Sequence, residues 1–174
     1  MSEQPKPVTK ADLLGTWKLI EAVETRDGVF GINKNLGPNP LGYLHYMPEG
    51  RVAVTVAVGG RKPMSGSRRH SPMEEMAASA QTFDAYAGTF SLIGPNRIAH
   101  HIEISTYQND VGTDLIRDVV VEGDVVKLSI PPMFEDGTLA SNGWLGARCL
   151  RRRKPEMCRA VAAECATFSR AAVG

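Results

Sequence analysis

In the second half of this chain, apolar and polar residues alternate in run after run, and turn-forming residues separate the runs. "GTFSLIGPNRIAHHIEIS", "TDLIRDVVVEGDVVKLSI" and "NGWLGARCLRR" all carry a period of two, the pattern of a strand with one buried face. The breaks fall at Gly94-Pro95-Asn96, across Gln108 to Gly112, and at Glu122-Gly123-Asp124, where turn chemistry reverses the chain. Such a chain builds an antiparallel meander.

The first half fits the same plan. After a short helical turn, "TWKLIEAVETRDG" sets Trp17, Leu19 and Glu21 against Lys18, Ile20 and Ala22 and stops at Asp27-Gly28. "FGINKNLGPNPLG" reads as a loop with a short edge strand at its start, and "GYLHYMPEGRVAVTVAV" as a hairpin turning at Pro48 to Gly50. A basic loop, "GGRKPMSGSRRHSP", leads into a predicted helix over Pro72 to Tyr86, with Ser71 as N-cap and Glu74 and Glu75 in the first turn. The tail spaces Met157, Val161, Cys165 and Phe168 at helical intervals. About eight antiparallel strands suit an up-and-down β-barrel, because closure removes exposed edges. The expected layout is a polar leader over 1–10, a barrel over 11–153 and an amphipathic helix over 154–174 packed outside it.

Composition narrows the functions. A net charge of +1 over 174 residues leaves no electrostatic footprint for nucleic acid, and no apolar run is long enough for a membrane-spanning helix. The start, "MSEQPKPVTK", lacks the basic and apolar regions of a secretory signal, so a cytoplasmic location is expected. Cys149, Cys158 and Cys165 lack metal-binding spacing and read as reduced thiols. With no nucleotide loop, metal cluster or nucleophile elbow in the sequence, no cofactor and no metal are expected.

"LLGTWKLIEA" resembles the Gly-X-Trp opening strand of lipocalins. The segments "LGYLHYMPEGR", "DAYAGTF", "IAHHIEIS", "VGTDLIRDV" and "GDVVKLSI" are similar, in order, to the small bacterial and fungal lipocalin-like domain family over about Leu13 to Arg153. The resemblance implies that Trp17, after Gly15, closes the narrow end of the barrel, with Arg148 from the last strand laid across its ring. The chain departs from the family at Gln108-Asn109-Asp110, where Pro-Asn-Trp is common, and at Arg151, where an aromatic is usual.

Strand parity selects the site candidates. Ile98, His100, Ile102 and Ile104 share one face; Arg97, Ala99, His101, Glu103 and Ser105 share the other, so His100 is expected inside. The resemblance also favours the first histidine of such a pair. Arg117 travels with Leu115, Val119 and Val121, an apolar face where a guanidinium needs a polar partner. Convergence of His100, Arg117, Tyr46 and Tyr86 in the cavity would supply a near-neutral base, a fixed cation and two phenols. That set suits cofactor-free isomerisation, cyclisation, hydration or elimination of an oxygenated small molecule. Tyr43, His45, His101, Glu103, Tyr107, Asn109 and Trp144 complete the candidate ligand contacts. A carrier would need only shape and a few fixed polar groups, so non-catalytic binding stands beside the enzyme reading. The basic loop of Arg61, Lys62, Arg68, Arg69 and His70 would steer acidic ligands to the mouth. An apolar outer strand face leaves a homodimer open.

Overall fold

A computed structural model describes residues 6–67, 69–135 and 138–148, with the backbone path alone for 133–135, 138–142 and 144–148. The expected C-terminal helix, the three cysteines and Arg68 lie outside the described residues. A four-residue helix, α1 (Lys10–Leu13), precedes β1 (Gly15–Arg26), β2 (Val29–Ile32), β3 (Leu41–Tyr46) and β4 (Arg51–Ala57). Helix α2 (Met73–Gln81) separates these from β5 (Phe83–Gly94), β6 (Arg97–Ser105), β7 (Asp114–Glu122), β8 (Val125–Ser129), β9 (Met133–Glu135) and β10 (Thr138–Arg148). Strands β1, β3, β4, β5, β6, β7, β8 and β10 pair in that order, and β10 pairs back onto β1. The meander therefore closes on itself as an antiparallel barrel, with β2 and β9 as short flanking strands.

One end is plugged. Thr9 and Asp12 form a capping box on α1, and Gly15, at φ +127°, turns the chain from α1 into β1 through a conformation that side chains disfavour. Trp17 then drops into the barrel end, fully buried, and its indole N–H donates to the Leu13 carbonyl at 2.7 Å. The backbone of Arg148 lies opposite Trp17 in the β1–β10 register, while its side chain is outside the described residues. The leader takes part as well: the Val8 N–H donates to Pro95 O at 2.8 Å and the Val8 side chain is buried. Leu13, Leu44, Tyr46, Val52, Phe90, Ile98, Val119 and Val126 build the core beneath this plug.

Strand alternation is interrupted where the sequence pattern runs on unbroken. A bulge between Leu19 and Glu21 resets the phase of β1, so Ala22 and Glu24, not Glu21, are the buried residues beyond it. A second bulge sets Ala87 opposite Ile104 but Gly88 opposite Ile102, which leaves Glu103 as the extra residue of β6. Ile104 is consequently turned outward and 66% exposed, contrary to its place on the apolar face in the sequence pattern. Gly88 makes this possible, since a Cβ there would collide with the His101 carbonyl.

The predicted helix over Pro72 to Tyr86 is also shorter than the sequence pattern suggests. It ends at Gln81, where the Thr82 hydroxyl donates back to Ala78 O at 2.8 Å, and Phe83 starts β5 opposite Ala57. Helix α2 buries no residue, whereas the ladder on β4 satisfies every second backbone group of a Thr- and aromatic-containing segment, so pairing prevails over helical spacing. Ser71 is not the N-cap. Pro72 holds that position, and the Ser71 hydroxyl donates to Ser67 O instead.

Candidate functional site

Four of the expected residues converge on the inner face of the barrel. Tyr46 ends β3 near the plug, His100 lies mid-β6 opposite Phe90 and Leu115, Tyr86 lies on β5 opposite Val54, and Arg117 lies on β7 opposite Ile98. The β6–β7 register puts Arg117 across from a buried residue of the His100 face, so the two share the interior. The Tyr46 hydroxyl meets His100 Nε2 at 2.7 Å and the Tyr86 hydroxyl meets Nδ1 at 2.9 Å. The Arg117 guanidinium lies near enough to Tyr86 for its charge to oppose the rise in the phenol's pKa, and it donates to the Ile116 carbonyl at 2.8 Å. A polar chain, Tyr46–His100–Tyr86–Arg117, thus runs down the inside.

The environment of this chain fixes its protonation. His100 has no exposed surface; burial, then the Arg117 charge, then His101 push its pKa down to about 3. Both tyrosines are raised from the ordinary phenol value, chiefly by burial, and Arg117 opposes the rise in each. The imidazole is therefore neutral and the phenols protonated near neutral pH. One nitrogen of a neutral imidazole donates and the other accepts, so one tyrosine hydroxyl receives a proton from the ring and the other gives one. Both nitrogens are already occupied. The expected base with a near-neutral pKa is not what the structure holds, because burial and a neighbouring cation both disfavour the imidazolium.

Beside the chain opens a cavity of about 910 Å³. Tyr86 and Arg117 belong to its lining, as do Leu44, Val54, Val56 and Leu128, whereas Tyr46 and His100 are buried and do not line it. Its mouth is formed by Gln81, Thr82 and Phe83 at the end of α2, by Thr106, Tyr107 and Asp110 in the β6–β7 connection, and by Asn33 and Asn35 after β2. The volume falls in the range that encloses a drug-sized molecule. Asp84, Asp110, Asn33 and Thr106 had no signal in the sequence beyond polarity; Val54 and Val56 were legible as one face of an alternating strand.

Several expected ligand contacts lie elsewhere. Tyr43 is exposed on the outer face, and His45 beside it accepts or donates through Nδ1 to Thr16 Oγ1 at 3.0 Å. Glu103 is held outside by Arg51, at 3.1 and 2.8 Å, and His101 by Ser91 and Asp114. Parity explains all four, since each precedes or follows an inward residue. Tyr107 does line the mouth, and Asn109 donates to its hydroxyl at 3.0 Å without lining the cavity itself. The Trp144 backbone pairs with Ala22 and Leu128, two cavity residues, and its side chain is outside the described residues.

The lipocalin-like domain family matches residues 14–147, which span the strands of the closed barrel except the last residue of β10. The chain belongs to the lipocalin-like domain family. Over 72 residues it is 33% identical to the 4'-hydroxy-3'-methoxypropiophenone carrier protein of Aspergillus oryzae, a match covering 37% of this chain and 65% of that protein, just under two thirds of it. Insecticyanin from the tobacco hornworm Manduca sexta is similar at a TM-score of 0.49 and 10% identity, over 98% of this chain and 80% of that one. Among the described residues no helix is long and apolar enough to cross a membrane. A barrel of this family is a fold suited to holding a small molecule.

Proposed function

We propose that this protein binds a small, partly hydrophobic, oxygenated molecule inside the barrel and carries it without transforming it. The observation that carries the reading is the lining of the cavity: a guanidinium and a phenol, Arg117 and Tyr86, set together among Leu44, Val54 and Leu128. Apolar walls desolvate an aromatic or aliphatic body, and the paired donors fix an oxygen at its tip. An aryl ketone or phenol has that shape, and one similar protein is named for carrying a hydroxy-methoxy aryl ketone. Carriage is favoured over acid/base catalysis because His100 is buried outside the cavity lining with both nitrogens engaged. Its task is to hold Tyr46 and Tyr86 in place.

Titration calorimetry with 4'-hydroxy-3'-methoxypropiophenone as probe tests this. One molecule per chain is expected, and Arg117→Met is expected to weaken binding by about tenfold or more, as for loss of a hydrogen bond to a charged donor. Equal binding by the variant, or none by the wild-type protein, would overturn the proposal. Recovery of the probe chemically unchanged after prolonged incubation separates carriage from turnover.

A further inference from the structure

On the outside of the same sheet, three adjacent strands bring a serine, a histidine and an aspartate into line. His101 of β6 lies directly opposite Asp114 of β7, and Ser91 of β5 is its diagonal neighbour across the other edge. His101 Nδ1 is 2.6 Å from Asp114 Oδ1, and His101 Nε2 is 2.8 Å from Ser91 Oγ. An ionised carboxylate only accepts, so Nδ1 bears the ring proton, Nε2 is left as the acceptor, and the serine hydroxyl donates to it. This is the connectivity that makes a serine oxygen nucleophilic: a base on the hydroxyl and a carboxylate holding the base in the right tautomer.

We propose that Ser91, His101 and Asp114 form an acyl-transfer site on the outer face, accepting small activated carboxylic esters. Ser91 Oγ attacks the ester carbonyl as His101 Nε2 takes its proton. Collapse of the tetrahedral species breaks the bond to the alcohol oxygen, which leaves with that proton, and an acyl-serine remains. Water then attacks the acyl carbon, gives its proton through His101, and releases the carboxylic acid and free serine. Asp114 is a positioning residue, and His101 is the proton carrier.

The surroundings support the assignment. All three side chains stand on paired strands, so their spacing is fixed by sheet register rather than by a loop. Arg97 lies two residues before Ala99, the partner of Ser91, and is therefore a diagonal neighbour of the serine on the same face. Its Nε is bound to Asp118 at 2.6 Å, and its terminal N–H groups have no partner among the described residues; they are the available donors for a developing oxyanion. The His101 side chain is 40% exposed, so a reagent reaches it without entering the cavity. Ser91 and His101 are only partly exposed, which limits the substrate class to small esters.

A fluorophosphonate probe and peptide mapping by mass spectrometry test the site. The full-length protein is expected to form its adduct at Ser91, faster than at the exposed Ser129 on β8. His101→Gln is expected to slow adduct formation by about tenfold or more, with an unchanged circular dichroism spectrum. Should that variant fail to fold, Asp114→Asn, at a more exposed position, is expected to slow it likewise. Labelling of Ser91 no faster than Ser129, or labelling that neither substitution slows, would overturn the proposal.

Discussion

His100 and His101 are neighbours in the chain and occupy opposite worlds. The first has no exposed surface, is held neutral and bridges two tyrosines beside a cavity; the second has a 40% exposed side chain and bridges a serine and a carboxylate in solvent. Residue type and local sequence are the same for both. What separates them is one step of strand parity, and with it the dielectric around the ring and the partners within reach. The inner histidine loses basicity and gains a structural task, whereas the outer one keeps an accessible nitrogen acceptor.

The largest contrast is expected in pH dependence. The folded-state pKa of His100, about 3, lies below its ordinary value of 6.5, so between those values only the unfolded chain takes up the proton. The stabilisation is full above pH 6.5 and is lost as pH falls toward 3, by at most about 5 kcal/mol. Urea titrations of wild type and His100→Gln across that window should diverge; parallel curves would mean that His100 is protonated in the native state.

At constant neutral pH, His100→Ala is expected to destabilise the fold by about 4 kcal/mol, from the void and two unpaired phenols. His101→Ala on the outer face should cost under about 1 kcal/mol. Equal costs would erase the distinction between the faces. The bulge beside these residues gives a smaller effect. Gly88→Ala forces a methyl against the His101 carbonyl and is expected to cost about 3 kcal/mol, read from the denaturation midpoint. The smallest change is on the surface: Arg51→Ala breaks the ion pair with Glu103, whose partners are about half exposed, and should shift stability by under about 1 kcal/mol and less at high salt.

Strand parity made His100 and Arg117 legible because both sit on unbroken runs of alternation. It failed at Ile104, Ala22 and Glu24, each just beyond a bulge, since a bulge is set by the partner strand's backbone and leaves only faint marks in its own sequence. For the bulge at Glu103 the mark lies on the partner strand, at Gly88, where a Cβ would meet the His101 carbonyl. The helix expected to run to Tyr86 failed for a related reason: local spacing favoured a helix, but β4 offered Phe83 to Gly88 a ladder. The mouth was least legible, because Asn33, Asp84 and the Thr106–Asp110 pair come from three separate segments and meet only after closure. Tyr43, His45 and Glu103 carried attractive chemistry on the outer face, where strand parity places them beside inward neighbours.

The interior site is tested most directly by a double cycle between ligand and protein. The affinity of 4'-hydroxy-3'-methoxypropiophenone is compared with that of its analogue reduced to a methylene at the ketone, in wild type and in Arg117→Met. If Arg117 and Tyr86 hold the ketone oxygen, removing the oxygen weakens binding to the wild type by about tenfold or more and changes binding to Arg117→Met far less. The same loss in both proteins, or no loss in either, would contradict a cavity lining built to recognise an oxygen.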